Sequence, residues 1–228
     1  MTKKKLKVLE LFAGTRSIGK AFEAQGHEVY SIEWDQKHPN IDWYVDIGTI
    51  TAQDIIERFG KPDIIWASPD CTSYSVAGIS HHRAKTKGID HLEPTSDYAK
   101  QCDETNKNVL KLISDLQPKY YFIENPRGGM RKMDFMQEDV LPDGGKRYTV
   151  TYCQYTAELP LEQRRMKPTD LWTNHPDPKF KPICKNGAPC HVSAPRGSAT
   201  GTQGIKGSVD RSRIPEELCN HVAKISEE

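Results

Sequence analysis

Within its first 35 residues the chain runs LKVLELF (6–12), AGTRSIG (13–19), KAFEAQG (20–26) and HEVYSIEWD (27–35). The outer two stretches are apolar and rich in strand formers. The inner two offer a glycine turn and then helical apolar spacing closed by Gly26. Strand, turn, helix and strand in so short a span imply a right-handed crossover between two parallel strands. The pattern recurs. ITAQDIIERFG (50–60) predicts a helix closed by Gly60, and PDIIWASP (62–69) a third strand. SDYAKQCDETNKNVLKLISDLQP (96–118) predicts a helix with Val109, Leu110, Leu112, Ile113 and Leu116 as its apolar residues, stopped by Pro118. KYYFIENP (119–126) is a fourth strand. The expected fold is α/β, a doubly wound, largely parallel sheet. Ligands of such sheets bind beyond the carboxyl ends of the strands. Phe12 to Gly14, Glu33 to Asp35, Asp46, Ser68 to Cys71 and Glu124 to Pro126 all fall there.

A length of 228 residues suffices for one full core. With 32 Lys and Arg against 31 Asp and Glu, net charge gives no sign of a nucleic-acid or membrane partner, so any such partner needs a local patch. One exists. Residues 175–213, dense in Gly, Pro, Ser and Thr, carry Lys179, Lys181, Lys185, Arg196, Lys206, Arg211 and Arg213 against Asp177 and Asp210. The expected division is therefore a catalytic unit over 1–174, a small basic segment over 175–213, and a helix over 214–228 that packs back on the first unit. The basic N-terminal stretch enters a strand without a long apolar region or cleavage site, and no apolar run spans a bilayer. With six scattered cysteines, these features predict a cytoplasmic protein with reduced thiols.

IIWASPDCTSYSVAG (64–78) places Cys71 where the backbone leaves a buried strand. A structural thiol usually sits inside an apolar run, whereas this one follows Pro69 and Asp70 at the ligand-binding edge, which points to chemistry. Glu33 stands about 20 residues past the glycine turn, where an acid accepts hydrogen bonds from both ribose hydroxyls of a nucleoside cofactor. Trp34 beside it offers a stacking face, and Asp46 an acceptor for an exocyclic amine. Each also has a plain structural reading as a solvated strand-end group.

Taken together, LELFAG, IEWD, SPDCTSYSVAG, ENP and QRRMK (163–167) resemble the motifs of the DNA cytosine-5 methyltransferases, of the compact phage or bacterial type, over roughly residues 6–174. The resemblance implies a Rossmann-like class I methyltransferase sheet with a small, irregular target-recognition segment. It implies S-adenosylmethionine as cofactor, cradled by Phe12, Ala13 and Gly14, with its ribose on Glu33, its adenine on Trp34, Asp46 and Ile47, and Ser68 nearby. Cys71 would be the nucleophile, Glu124 the group on cytosine N3 and the amine, and Arg165 a partner of the base carbonyl. The partner would be DNA with a flipped cytosine, and the working unit a monomer. The chemistry explains these residue types. C5 of cytosine is a poor nucleophile until a thiolate adds to C6, and that addition pushes density toward N3 and O2, where an acid and a guanidinium stabilise it. A stacked base is out of reach, so it must be flipped. The loop 79–91, carrying His81, His82, Arg83, Lys85 and Lys87, would close over the phosphates.

The chain departs from the family pattern in four places. Asp70 replaces a proline before the cysteine, and its charge opposes thiolate formation. Pro126 replaces a valine after Glu124-Asn125. Lys167 replaces a second arginine. The recognition segment is short, which implies a short or relaxed target. Two other readings follow from the same residues. Ser68-Pro69-Asp70-Cys71 compares with the Ser-Pro-Pro-aromatic tetrad of N4-cytosine or N6-adenine amino-methyltransferases, although the aromatic is missing. A non-catalytic nucleic-acid-binding protein on a decayed methyltransferase fold would fail to bind the cofactor. No metal is expected in the site. Cys184, Cys190 and His191, with Cys219 and His221, supply zinc-ligand types at irregular spacing, and free thiols are the default.

Overall fold

The computed structural model describes residues 4–85, 87, 92–193, 207, 210 and 212–228. Strands β1 (Lys7–Leu11), β2 (Glu28–Glu33), β3 (Trp43–Tyr44), β4 (Ile64–Ala67) and β7 (Tyr120–Pro126) alternate with helices α1 (Ser17–Ala24), α2 (Ala52–Arg58) and α4 (Asp97–Leu116). A short helix α3 (Ile79–His82) and a two-residue hairpin, β5 (Arg83–Ala84) with β6 (Glu93–Pro94), lie between β4 and α4. Helix α2 starts at a reciprocal cap, Thr51 and Asp54 each holding the other's backbone N–H. Helix α4 ends on Gln117 in the left-handed conformation, one residue before Pro118.

Residues 127–174, which the strand–helix alternation does not reach, supply β8 (Lys146–Thr151) and β9 (Pro168–Thr173). The sheet order is β3-β2-β1-β4-β7-β9-β8, with β1, β2, β3, β4 and β7 mutually parallel. Strand β9 runs antiparallel to both its neighbours, pairing Glu124 with Leu171 and Pro126 with Thr169. Its direction matters for function. Because β9 runs backwards, the residues that enter it, Gln163 to Lys167, lie at the edge where the parallel strands end.

The two faces bury different clusters. One holds Leu9, Leu11, Ile32, Ile55, Ile65, Val109, Leu112, Ile113 and Ile123 under α2 and α4. The other holds Val8, Ile18, Phe22, Trp66, Phe122 and Leu171 under α1 and the C-terminal helix α5 (Glu216–Ser226). Helix α5 contributes Leu218, Cys219, Val222, Ala223 and Ile225 to this second cluster and lies against α1. Residues 175–193 run over the surface without regular structure, and Arg196, Lys206 and Arg211 lie outside the described residues. The basic segment is less free than its composition implies: Lys181 pairs with Glu217 and donates to the Gln154 carbonyl at 2.9 Å. No helix among the described residues is long and apolar enough to cross a membrane.

Candidate active site

At the end of β1 the backbone turns sharply. Phe12 and Gly14 both have positive φ, 56° and 48°, and Arg16 follows at 55°. A non-glycine residue in this region is uncommon and signals a backbone held by its surroundings. Here the holding group is visible. The Glu33 carboxylate, at the end of β2, accepts from the Gly14 N–H at 3.0 Å, the Trp34 N–H at 2.9 Å and the Asp35 N–H at 3.1 Å. Ala13 donates its N–H to the Ile32 carbonyl at 3.1 Å, closing the turn against β2. The structure thus brings Phe12, Ala13, Gly14, Glu33 and Trp34 to one edge. Trp34 is 65% exposed, unusual for so large an apolar face beside a buried carboxylate. Ile47 is buried, while the Asp46 side chain accepts from the Gly48 N–H at 2.8 Å. Ser68 leaves β4 with its N–H on the Leu11 carbonyl, and its hydroxyl accepts from the Trp66 indole at 2.7 Å.

The Cys71 turn is tied to the strand beside it. Asn125, fully buried on β7, donates its side-chain N–H to the Pro69 carbonyl at 3.0 Å. Its neighbour Glu124 is 5% exposed and accepts from the Tyr152 hydroxyl at 3.0 Å. The Glu124 carboxylate acts electrostatically on Cys71, as does Lys167 with the opposite sign. Burial first, then Glu124 and Asp70, push the Cys71 thiol up to about 11, and Lys167 pulls it down. The Asp70 charge therefore opposes the thiolate, as the sequence implied, although less than burial and Glu124 do. The Asp70 carboxylate accepts from the Thr72 N–H at 2.6 Å and from the Tyr98 hydroxyl.

Arg165 and the loop after Cys71 differ from expectation. Arg165 turns along its own loop, donating to the carbonyls of Glu162 and Arg164, and its Nε is buried with no partner among the described residues. The cation that acts on Cys71 from this segment is Lys167, which the sequence marked only as a missing guanidinium. Lys167 is buried, its ammonium 4.7 Å from the centre of the Tyr152 ring. In the loop, Arg83 does not face solvent. It forks onto Asp103 at 2.6 and 3.0 Å and holds the Ser73 carbonyl at 2.9 Å, with Tyr74 donating to the same Asp103 at 2.6 Å. His82 bonds Ser96. Residues 86 and 88–91 of this loop lie outside the described residues. Arg83, placed by the sequence among the phosphate contacts, is instead a buried brace, because Asp103 compensates its charge away from water.

Tyr152 carries no sequence signal, since a tyrosine just after an unassigned strand cannot be told from core. Lys167 had one in its place in QRRMK.

Residues 6–137, more than half of the chain, match the family described as C-5 cytosine-specific DNA methylase. A Frog virus 3 (isolate Goorha) protein described as a probable DNA (cytosine-5)-methyltransferase is 26% identical over 178 residues, 74% of this chain and 71% of its own. Among solved structures, the Dnmt2 methyltransferase of S. pombe gives a TM-score of 0.50 at 17% identity, covering 80% of this chain and 58% of that one. The Entamoeba histolytica methyltransferase EhMeth gives 0.51 at 16%, covering 78% and 55%. At such identities the likeness is one of fold, a Rossmann-like methyltransferase sheet. The chain spans a little over half the length of these two structures. The matched stretch contains the Phe12 turn, Glu33, the Cys71 turn and Glu124, and the chain belongs to the C-5 cytosine-specific DNA methylase family.

Proposed function

We propose that the chain methylates C5 of a flipped cytosine in DNA, with Cys71 as nucleophile and S-adenosylmethionine as methyl donor. The observation that carries this reading is that the Asn125 bond to Pro69 ties the Cys71 turn to β7 beside Glu124, while Tyr152 links Glu124 to Lys167. The Phe12–Gly14 turn, the Glu33 carboxylate and the exposed Trp34 face fit a nucleoside: a tight backbone approach, a ribose acceptor and an adenine platform side by side. Asp46 and Ile47 would flank the adenine edge, and Ser68 would line the path toward Cys71. When bound, the sulfonium cofactor supplies an electrophilic methyl group.

The residues of the chain then do the rest. The Cys71 sulfur forms a bond to C6 of the cytosine, and the ring's electron pair moves toward C5 and N3. Glu124, held by Tyr152, donates to N3 and accepts from the amine, stabilising charge where it develops. Lys167 favours the thiolate. Arg165, whose Nε has no partner among the described residues, would reach the base carbonyl by leaving the carbonyls of Glu162 and Arg164. After C5 gains its methyl, a base removes the C5 proton and the C6–S bond breaks, releasing Cys71. Amino-methylation is not favoured, since direct attack by an exocyclic amine uses no thiol and the family match is to C5 enzymes. Mass-spectrometric and bisulfite analysis of DNA from cells expressing the chain tests the product. 5-Methylcytosine is expected; N4-methylcytosine or N6-methyladenine would reject the reading.

The cofactor assignment makes its own prediction. Glu33→Gln keeps the size of the side chain but replaces one acceptor oxygen with a donor, facing ribose hydroxyls and backbone N–H groups alike. S-Adenosylmethionine affinity should fall by about 1.5–3 kcal/mol, roughly ten- to a hundredfold. Unchanged affinity by calorimetry, in a variant with unchanged melting temperature, would remove Glu33 from the site.

A further inference from the structure

Beyond the carboxyl end of β8, next to Tyr152, four side chains that the proposed reaction does not use converge. Cys153 lies on the turn after β8, and Cys184, Cys190 and His191 on the irregular segment that follows residue 174. Their ligand atoms all lie within 4.8 Å of one another. Cys190 Sγ is 3.8 Å from Cys153 Sγ, and His191 Nδ1 is 3.5 Å from Cys190 Sγ and 3.6 Å from Cys184 Sγ. A tetrahedral zinc with Zn–S bonds of about 2.3 Å and a Zn–N bond of about 2.0 Å sets sulfurs about 3.8 Å apart and sulfur to nitrogen about 3.5 Å apart. Three of the measured separations match. The fourth, Cys184 Sγ to Cys190 Sγ at 3.1 Å, is closer than the tetrahedral spacing. It is also well beyond the roughly 2.05 Å of a disulfide.

We propose that Cys153, Cys184, Cys190 and His191 bind a structural zinc ion. Four protein ligands close the tetrahedron, leaving no position for water or substrate, which distinguishes a structural site from a catalytic one. The two other candidate ligands lie elsewhere: Cys219 is buried between α5 and the sheet with Sγ toward the Ile214 carbonyl, and His221 bonds the Pro178 carbonyl at 2.7 Å. The sequence could not reveal Cys153, because the fold alone brings it to residues some 30 positions later. The consequence is mechanical. The Cys184 N–H already meets Thr151 at 2.9 Å, and a metal would pin the segment to β8 beside Tyr152, the partner of Glu124. A small segment with little apolar surface gains most from such a staple.

The test uses the full chain, freed of any purification tag and prepared without chelators from zinc-supplemented cells. Elemental analysis should find about one zinc ion per chain, and X-ray absorption a shell of three sulfurs near about 2.3 Å and one nitrogen near about 2.0 Å. Cys153→Ala and Cys184→Ala should each lose at least about tenfold in zinc content, while His191→Cys and Cys219→Ala retain it. The wild-type measurement decides even where a variant does not fold. The proposal is overturned by zinc below about a tenth of an ion per chain. A Cys184–Cys190 disulfide in freshly prepared protein, or a zinc shell of different composition, overturns it equally.

Discussion

Cys71→Ser is expected to abolish methyl transfer, a loss on the scale of the roughly 10⁴–10⁶-fold seen when an enzyme loses its nucleophile. A serine alkoxide is far harder to reach near neutral pH than a thiolate. Cofactor affinity should stay within about twofold, since the Glu33 carboxylate is held by Gly14, Trp34 and Asp35 and a hydroxyl replaces the thiol with little change of volume. The environment of the thiol adds a second arm. With burial, Glu124 and Asp70 holding it up to about 11, the thiolate fraction in the free protein rises with pH throughout the physiological range. Alkylation of Cys71 should accelerate accordingly. Asp70→Asn removes one opposing charge and should quicken alkylation at a given pH, whereas Lys167→Met should slow it. Methylation that persists in Cys71→Ser would end the covalent reading.

Asp103→Ala is expected to cost about 3–5 kcal/mol of folding stability, measured by denaturant unfolding. The effect is large because the partner cannot leave: the Arg83 side chain is fully buried, and loss of the carboxylate strands its guanidinium and also the Tyr74 hydroxyl. Arg83→Met combined with Asp103→Leu should recover much of that loss, because an apolar pair of similar volume carries no stranded charge. The brace also holds the Ser73 carbonyl, two residues from Cys71, so methylation by the folded fraction should fall along with stability. A cost below about 1 kcal/mol would mean that water reaches Arg83 and that the brace is not buried in solution.

The parts of the molecule legible in the sequence are those written locally. The alternation that ends at Pro126 specifies β1, β2, β4 and β7 because each is a short apolar run bounded by glycine or proline, whereas the two-residue strands β3, β5 and β6 are too short to leave a pattern. The left-handed Phe12 turn was visible only as glycine and alanine after a strand; that Glu33 would staple it through three backbone N–H groups needed the parallel register of β1 and β2. Strands β8 and β9 were missed because KRYTVT and PTDLWT are polar and lie beyond the helix repeat, and they join the sheet only through the pairing of β9 with β7. With them went the reason Lys167 lies at the edge where the parallel strands end, over the Tyr152 ring, which is the reversed direction of β9. Arg83 misled for the opposite reason. Basic residues cluster around it in sequence, and nothing local says that Asp103, on the second turn of α4, would take it out of water.

The most direct test of the covalent reading is capture of the adduct. Duplex oligonucleotides carrying 5-fluorocytosine in varied contexts are incubated with the wild-type chain and S-adenosylmethionine, and the protein is digested and mapped by mass spectrometry. Fluorine at C5 cannot leave as a proton, so elimination stalls once the methyl group has been transferred. A covalent complex attached at Cys71 is expected, one that Cys71→Ser does not form. An adduct on any of the other five cysteines, or DNA methylated at N4 or N6 with no adduct at all, would contradict it.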